Sequence, residues 1–175
     1  MTVILTEELI KKVCPTAKDS IVKGVVKFLN QYSFEYGLNT PLRMAHFLAQ
    51  AAHESAHFRT LEEFASGSAY EGRRDLGNLT KGDGVKYKGR GIFQLTGRFN
   101  YNKFGGILLT NNPKLAATPR ISVLTALEYW GINNLNTLAD KDDILSITKR
   151  INGGTNGYAD RLKYLGLFKG ALNVK

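Results

Sequence analysis

The chain has 175 residues, 43% of them hydrophobic and 22% charged, a composition typical of one globular domain with its own core. Its net charge of +9 favours an anionic partner such as an acidic cell envelope, and its single cysteine, Cys14, excludes an internal disulfide. The first residues do not form a signal peptide, and no apolar run reaches the roughly 18 residues needed to cross a bilayer. We therefore expect synthesis in a cytoplasm and no stable membrane insertion.

Helical periodicity dominates the chain from its beginning. Thr6 is suited to cap a short helix that runs through Val13, and a second helix is predicted over residues 20–36. The pair Thr40-Pro41 is an N-cap followed by proline at the first helical position, and this helix should run to about Ala56. Further helices are predicted over residues 118–133, 142–151 and 158–168.

The helical pattern fails between residues 66 and 91, where seven glycines are interspersed with charged side chains. Irregular segments of this length in compact domains are usually functional or mobile. The sequence therefore predicts one compact, mostly α domain over residues 1–175. A glycine-rich loop, with room for a small β element, should lie beside the third helix.

The segment from Gln50 to Glu63 fits two incompatible chemistries, of which the first is a zinc peptidase. His53-Glu54-Ser55-Ala56-His57 matches the pattern His-Glu-x-x-His, in which two histidines on one helix face bind the metal. Zinc needs a third protein ligand, but His46 would lie roughly 10 Å away along the helix axis. Glu71 or Glu128 could serve, although nothing in the sequence marks either residue.

The second chemistry is cleavage of a sugar bond, which needs one protonated and one ionised carboxyl group. Glu54 shares a helix face with Phe47 and, if the helix continues, with Phe58, and an apolar wall disfavours the charged form of a carboxyl group, as a general acid requires. In an unbroken helix Glu63 would point to the opposite side. The two glutamates can act together only if the helix ends before Thr60, where Thr60-Leu61-Glu62-Glu63 fits a capping box.

A third feature is the run Tyr-Lys-Gly-Arg-Gly-Ile-Phe-Gln-Leu-Thr-Gly-Arg-Phe-Asn-Tyr over residues 87–101. It follows Ala-His-Glu-Ser-x-x-Phe at 52–58 and a second glutamate, and it precedes Ile151-Asn152-Gly153-Gly154 and Arg161. These motifs resemble the signature of glycoside hydrolase family 19, the chitinase-like lysozymes. Three motifs in the right order are more specific than either short pattern in the segment 50–63.

The resemblance implies a lysozyme-like α fold and an inverting reaction that uses no metal or cofactor. It implies that Glu54 is the general acid and Glu63 the general base, with Glu62 as the alternative base, and that Thr96 helps to hold the attacking water. The implied substrate-binding residues are Tyr87, Arg90, Gln94, Asn100, Asn152 and Arg161, the last of which would bias the charge on a nearby glutamate.

The chain is shorter than the plant chitinases of that family, lacks their cysteines and has Phe64 where many members have asparagine. These features resemble the compact phage and bacterial members that cut peptidoglycan. We therefore expect a monomeric endolysin without a separate wall-binding domain. It would bind no nucleic acid and would hydrolyse β-1,4 bonds of peptidoglycan in the periplasm after release. A chitinase of the same family, a zinc peptidase and a non-catalytic wall-binding domain are the alternatives.

Overall fold

The computed structural model describes residues 3–174 and confirms the mostly α fold. No helix in this part of the chain combines the length and apolar character of a membrane span. In place of a small β element, isolated β-bridges join Glu62 to Arg90 and Arg90 to Leu95. Within residues 3–174 the α-helices are α1 (Glu7–Val13), α2 (Asp19–Tyr32), α3 (Pro41–Glu54), α4 (Asp83–Lys86), α5 (Arg98–Asn111), α6 (Pro119–Ile132), α7 (Leu135–Asp140), α8 (Ile144–Asn152) and α9 (Tyr158–Ala171), with short 3₁₀ turns at Ser68–Tyr70, Arg74–Leu76 and Pro113–Ala117.

Helix α3 lies at the centre of the fold. Every side chain from Met44 to Ala52 is buried, and the many alanines in this stretch allow α9 to pack closely along the helix. The ring of Phe47 contacts Trp130 of α6 and Phe93, with ring centroids 5.3 and 5.0 Å away. Burying an aromatic side chain of this size contributes roughly 1.5–3 kcal/mol. The helix that carries Glu54 is therefore held on several sides.

Two parts of the helical prediction are wrong. Helix α2 ends at Tyr32 rather than near residue 36, because the chain turns through Gly37, whose φ of 70° suits glycine. Helices α4, α5 and α7 were not predicted, because two glycines interrupt α5, while α4 and α7 have only four and six residues. The other predicted helices agree with the structure to within about three residues at each end.

Helix α3 ends at Glu54, before Thr60, as the paired-glutamate hypothesis requires. The next residues, Ala56, His57 and Phe58, have φ values of 51°, 61° and 60°. This left-handed conformation costs roughly 1–2 kcal/mol for each residue that carries a Cβ atom. The buried Ser55 hydroxyl offsets part of the cost, since it donates to Ala51 O at 2.6 Å and accepts from the Phe58 N–H at 3.0 Å.

The capping box predicted at Thr60 is wrong, because no helix begins there. The Thr60 hydroxyl instead accepts from the Glu62 N–H at 3.1 Å and donates to the Glu62 carbonyl at 2.6 Å. The chain then runs alongside residues 89–91: Glu63 N–H donates to Gly89 O at 3.0 Å, and Gly91 N–H donates to Leu61 O at 2.8 Å. This pairing fixes the backbone of Glu63 relative to the Gly-Arg-Gly run.

Replacing Ser55 with alanine should destabilise the left-handed turn, because the buried Phe58 N–H would lose its acceptor. We expect Ser55→Ala to lower the free energy of unfolding by about 1–3 kcal/mol, measured by urea denaturation. Ser66→Ala is a suitable control, since the exposed Ser66 hydroxyl forms its hydrogen bonds with the hydroxyl and the N–H of Ser68, which is also exposed. Equal stability of the two variants would show that the Ser55 hydroxyl does not support the turn.

Candidate active site

An open cleft of about 720 Å³ is lined by both Glu54 and Glu63. Glu54 is the last residue of α3, whereas Glu63 lies in the extended segment that follows the left-handed turn. The reversal of the chain between them brings the two carboxylates to one cavity. Other residues predicted from the sequence also line the cleft: Arg90, Gln94, Thr96, Asn100 and Asn152.

The Glu54 carboxylate is held from beneath by Arg161 of α9. The Arg161 side chain is fully buried, and its Nη2 donates to Glu54 Oε1 at 2.5 Å. Its Nη1 donates to the side-chain oxygen of Gln50, which is also buried. Arg161 therefore anchors the Glu54 carboxylate, but contrary to the prediction it does not line the cleft and is not placed to bind a sugar.

The Glu63 carboxylate is held by the backbone of Gly89 and by a tyrosine. Its Oε2 accepts from the Gly89 N–H at 2.7 Å and from the Tyr70 hydroxyl at 3.2 Å. A Cβ atom at position 89 would lie 2.6 Å from Glu63 Oε2, 2.7 Å from Gln94 Oε1 and 3.3 Å from Thr96 Oγ1. A larger residue at position 89 would therefore displace these three side-chain oxygens, which converge on the glycine. Such a cluster can accept and orient the protons of a water molecule.

The Glu62 carboxylate is paired with two cationic side chains. Its Oε1 lies 3.0 Å from Arg90 Nη2 and 3.3 Å from Lys88 Nζ, and the residue does not line the cleft. Desolvation by burial raises the pKa of Glu62, but the charges of Arg90 and Lys88 outweigh this and leave the pKa below its usual value. The geometry thus favours Glu63 over Glu62 as the general base.

The structure does not bring Tyr87 to the cleft, contrary to the prediction. Its ring is fully buried against Tyr101, and its hydroxyl donates to Thr110 O at 2.9 Å. Arg90 borders the cleft but is only 4% exposed, and its guanidinium donates to Lys86 O, to the Tyr101 hydroxyl and to Glu62. Arg90 therefore holds the cleft wall in place and has little capacity left for a ligand.

The predicted amide residues do face the cleft. Gln94 has a φ of 49°, and its Nε2 donates to Gly91 O at 2.9 Å, which leaves its side-chain oxygen near Gly89. Asn100 anchors its amide nitrogen on Thr96 O at 2.8 Å. Asn152 is the last residue of α8 and is exposed. Amides of this kind offer the donors and acceptors that bind sugar hydroxyl and N-acetyl groups.

Comparison with known proteins assigns the family. The chain is 30% identical over 196 aligned positions to a "Glycosyl hydrolase family 19 domain-containing protein" of Haemophilus influenzae, and the alignment covers 93% of this chain and 94% of that protein. The chain belongs to glycoside hydrolase family 19. It is also 31% identical to "Acidic endochitinase Q" of Nicotiana tabacum over 75% of the chain, which corresponds to 61% of the longer plant protein. No protein-family model matches the chain.

Solved structures support the same fold. A bacterial family 19 chitinase superimposes with a TM-score of 0.79 at 21% identity, and the match covers 99% of this chain and 97% of that chain. Chitinase C from Streptomyces griseus HUT6037 superimposes with a TM-score of 0.76 at 23% identity, over 97% of this chain and 77% of that chain. The architecture of these two chitinases therefore extends along nearly the whole of this chain.

The two histidines of the zinc-peptidase motif contact Asp160 of α9. His53 Nδ1 and His57 Nε2 both lie beside Asp160 Oδ2, at 2.7 and 3.2 Å. Desolvation by burial raises the pKa of Asp160, but its hydrogen bonds to the two rings outweigh this and lower the pKa. Glu54 instead faces Arg161 and the cleft. No metal-binding group of three or more His, Cys, Asp or Glu side chains is found in the described part of the chain.

Several residues of the cleft were not predicted. Tyr70 contacts Glu63, and its pKa is raised by burial and by the nearby Glu63 carboxylate. Tyr70 lies in the irregular segment 66–91, where no periodic pattern indicates which side chains face inward. Phe64 is 82% exposed at the edge of the cleft, directly after the proposed base. The remaining residues missed by the sequence analysis are Ala65, Arg73, Leu76, Phe93, Leu95, Phe104, Thr125, Tyr129 and Ile151.

Replacing each glutamate of the pair 62–63 with glutamine should identify the base. We expect Glu63→Gln to reduce turnover by at least about 100-fold, because an amide cannot take a proton from water. Glu62→Gln should retain most of the activity but melt at a lower temperature, since the buried Arg90 would lose its charged partner. Turnover and thermal unfolding of both variants test this assignment, and an inactive but stable Glu62→Gln would reverse it.

Proposed function

We propose that this family 19 hydrolase cleaves the β-1,4 bond between N-acetylmuramic acid and N-acetylglucosamine in peptidoglycan. The observation that carries the proposal is a pair of carboxylates that line one cleft. Glu54 precedes the chain reversal at residues 56–58, and Glu63 follows it. Each has a separate set of supports: Arg161 for Glu54, and Gly89 with Tyr70 for Glu63. Two carboxyl groups in different environments are what acid/base cleavage of a sugar bond requires.

In the proposed reaction Glu54 protonates the glycosidic oxygen as the bond to the anomeric carbon breaks. A water molecule, oriented by Thr96 and the Gln94 side-chain oxygen, attacks that carbon from the opposite face and transfers a proton to Glu63. The Gly89 N–H keeps the Glu63 carboxylate directed at this water. Direct displacement inverts the configuration and forms no covalent glycosyl-enzyme intermediate.

The preference for peptidoglycan rests on charge and on the cleft surface. A net charge of +9 raises the local concentration of the enzyme at an anionic wall, whereas it gives no advantage on neutral chitin. The exposed Phe64 adds an apolar side chain to the cleft, whereas the nearby Arg73 is paired with Asp75. Chitin is the second candidate substrate, because several relatives of this chain are named endochitinases.

The site of action follows from this substrate. We propose that the enzyme acts as a monomer on the wall in the periplasm, as an endolysin released during lysis of the host. It would bind the glycan strands and would need neither a nucleic acid nor a cofactor for the reaction.

Digestion of purified sacculi tests the reaction and the role of Glu54 together. The wild-type protein should release new reducing ends and no new amino groups, because it cuts sugar bonds and not peptide bonds. Glu54→Gln should reduce this release by at least about 100-fold, since an amide cannot protonate the leaving oxygen. Glu8→Gln, a change at an exposed residue of α1, is the control. New amines without reducing ends would favour a peptidase, and activity on chitin alone would favour a chitinase.

The configuration of the first product tests the mechanism. We expect the α-anomer to appear first from a β-linked oligosaccharide, because a single displacement inverts the anomeric carbon. Proton NMR spectra recorded within the first minutes of reaction, before mutarotation, distinguish the anomers. An initial β-anomer would show retention and would exclude the roles given to Glu63 and the water.

A further inference from the structure

A second pocket, of about 320 Å³, opens between α5 and α6 directly beside the catalytic cleft. Phe104 of α5 and Thr125 of α6 line both cavities. The other side chains of the second pocket have no role in the acid/base reaction. The two cavities therefore adjoin at Phe104 and Thr125.

The sequence of α6 explains why the two cavities adjoin. At about 100° of rotation per residue, Leu124, Glu128, Ile121, Thr125 and Tyr129 follow one another around one side of the helix. The last two of these line the cleft, and the first four line the second pocket, with Thr125 common to both. The same helix face thus continues from the site of bond cleavage into the second pocket.

Helix α5 provides the opposite wall through an interruption in its backbone. Gly106 has φ 54° and ψ −147°, and a Cβ atom at Gly105 would collide with the side chain of Leu109. After this break Ile107 and Leu108 are 77% and 52% exposed. Leu108 lines the pocket, so the break places apolar surface next to it.

The pocket also carries one charge of each sign. Glu128 Oε2 accepts from the Tyr36 hydroxyl at 3.2 Å, and Lys103 Nζ lies 5.3 Å from the centre of the Phe104 ring. Neither Glu128 nor Lys103 forms a salt bridge with any residue in the range 3–174. An apolar surface flanked by a carboxylate and an ammonium group is complementary to a short peptide with a free amino group and a free carboxylate.

We propose that the second pocket binds the stem peptide of peptidoglycan while the glycan strand occupies the cleft. This inference rests on the proposed function. The stem peptide branches from the muramic acid ring itself, so it leaves the cleft beside the bond that is cut. It offers carboxylates to Lys103, an amino group to Glu128 and small apolar side chains to Leu108 and Leu124. Chitin has no such branch, and a neutral sugar has no ammonium group for Glu128.

The test compares two forms of one substrate: glycan strands that carry their stem peptides, and the same strands after an amidase has removed the peptides. We expect Glu128→Gln and Lys103→Gln each to lower kcat/KM on peptide-bearing strands about tenfold, the effect of losing one charge-assisted contact. On stripped strands kcat/KM should equal that of the wild type. Glu8→Gln and Lys23→Gln, which change exposed residues of α1 and α2, are the matched controls.

The outcomes separate the pocket from the proposed function. An equal loss on both substrates would show that the pocket binds glycan or supports the fold, and no loss on either would show that it binds nothing in this reaction; both overturn the inference. Thermal unfolding of each variant identifies a loss of fold, and the two variants change different helices. Wild-type activity on stripped strands reports the proposed function separately, because those strands contain the sugar bond but no peptide.

Discussion

The chain leaves α3 through three consecutive residues with positive φ, and the active site depends on that reversal. A helix continued through Ala56 to Phe58 would carry Glu63 to the side opposite Glu54. The left-handed turn instead directs the chain back along residues 89–91, so that Glu63 reaches the cleft and Gly89 can bind its carboxylate. This strained conformation is what allows Glu54 and Glu63 to line one cleft.

Helix α9 holds the end of α3 that carries Glu54. Two adjacent residues of α9 bind neighbouring side chains at this end: Asp160 contacts both histidines, and Arg161 contacts Glu54 and Gln50. The two histidines of the His-Glu-x-x-His pattern therefore attach the end of α3 to α9. The glutamate between them, Glu54, lines the cleft of this glycoside hydrolase. The buried Arg161 guanidinium needs these two partners, because an unpaired charge in the interior would be costly.

Polar groups in the cleft and charges in the second pocket both bear on the proposed substrate. Amide and hydroxyl oxygens gather around Gly89 in the cleft, and the net charge of +9 favours an anionic partner. The break in α5 at Gly105 and Gly106 adds a second pocket whose charges do not match a neutral polysaccharide. Under the proposed function, features outside the pair of carboxylates direct a fold shared with chitinases to a different substrate.

The helices could be predicted from the sequence because capping and periodicity are local: Thr6 accepts from Leu9 N–H, and Thr40 precedes Pro41, as their positions indicated. The ordered motifs also predicted the family and the pair Glu54 and Glu63. The capping box at Thr60 was wrong because a backbone partner distant in sequence replaced the local one.

Only the tertiary structure decided which side chains contact one another. Tyr87 lies in a hydrophobic cluster away from the cleft, Tyr70 contacts Glu63, and Glu62 is bound by Arg90 while its neighbour is not. Adjacent residues in an extended segment point to opposite faces, so spacing alone could not assign the base. Local patterns determined the helices and the family, whereas contacts between residues far apart in the sequence determined the active site.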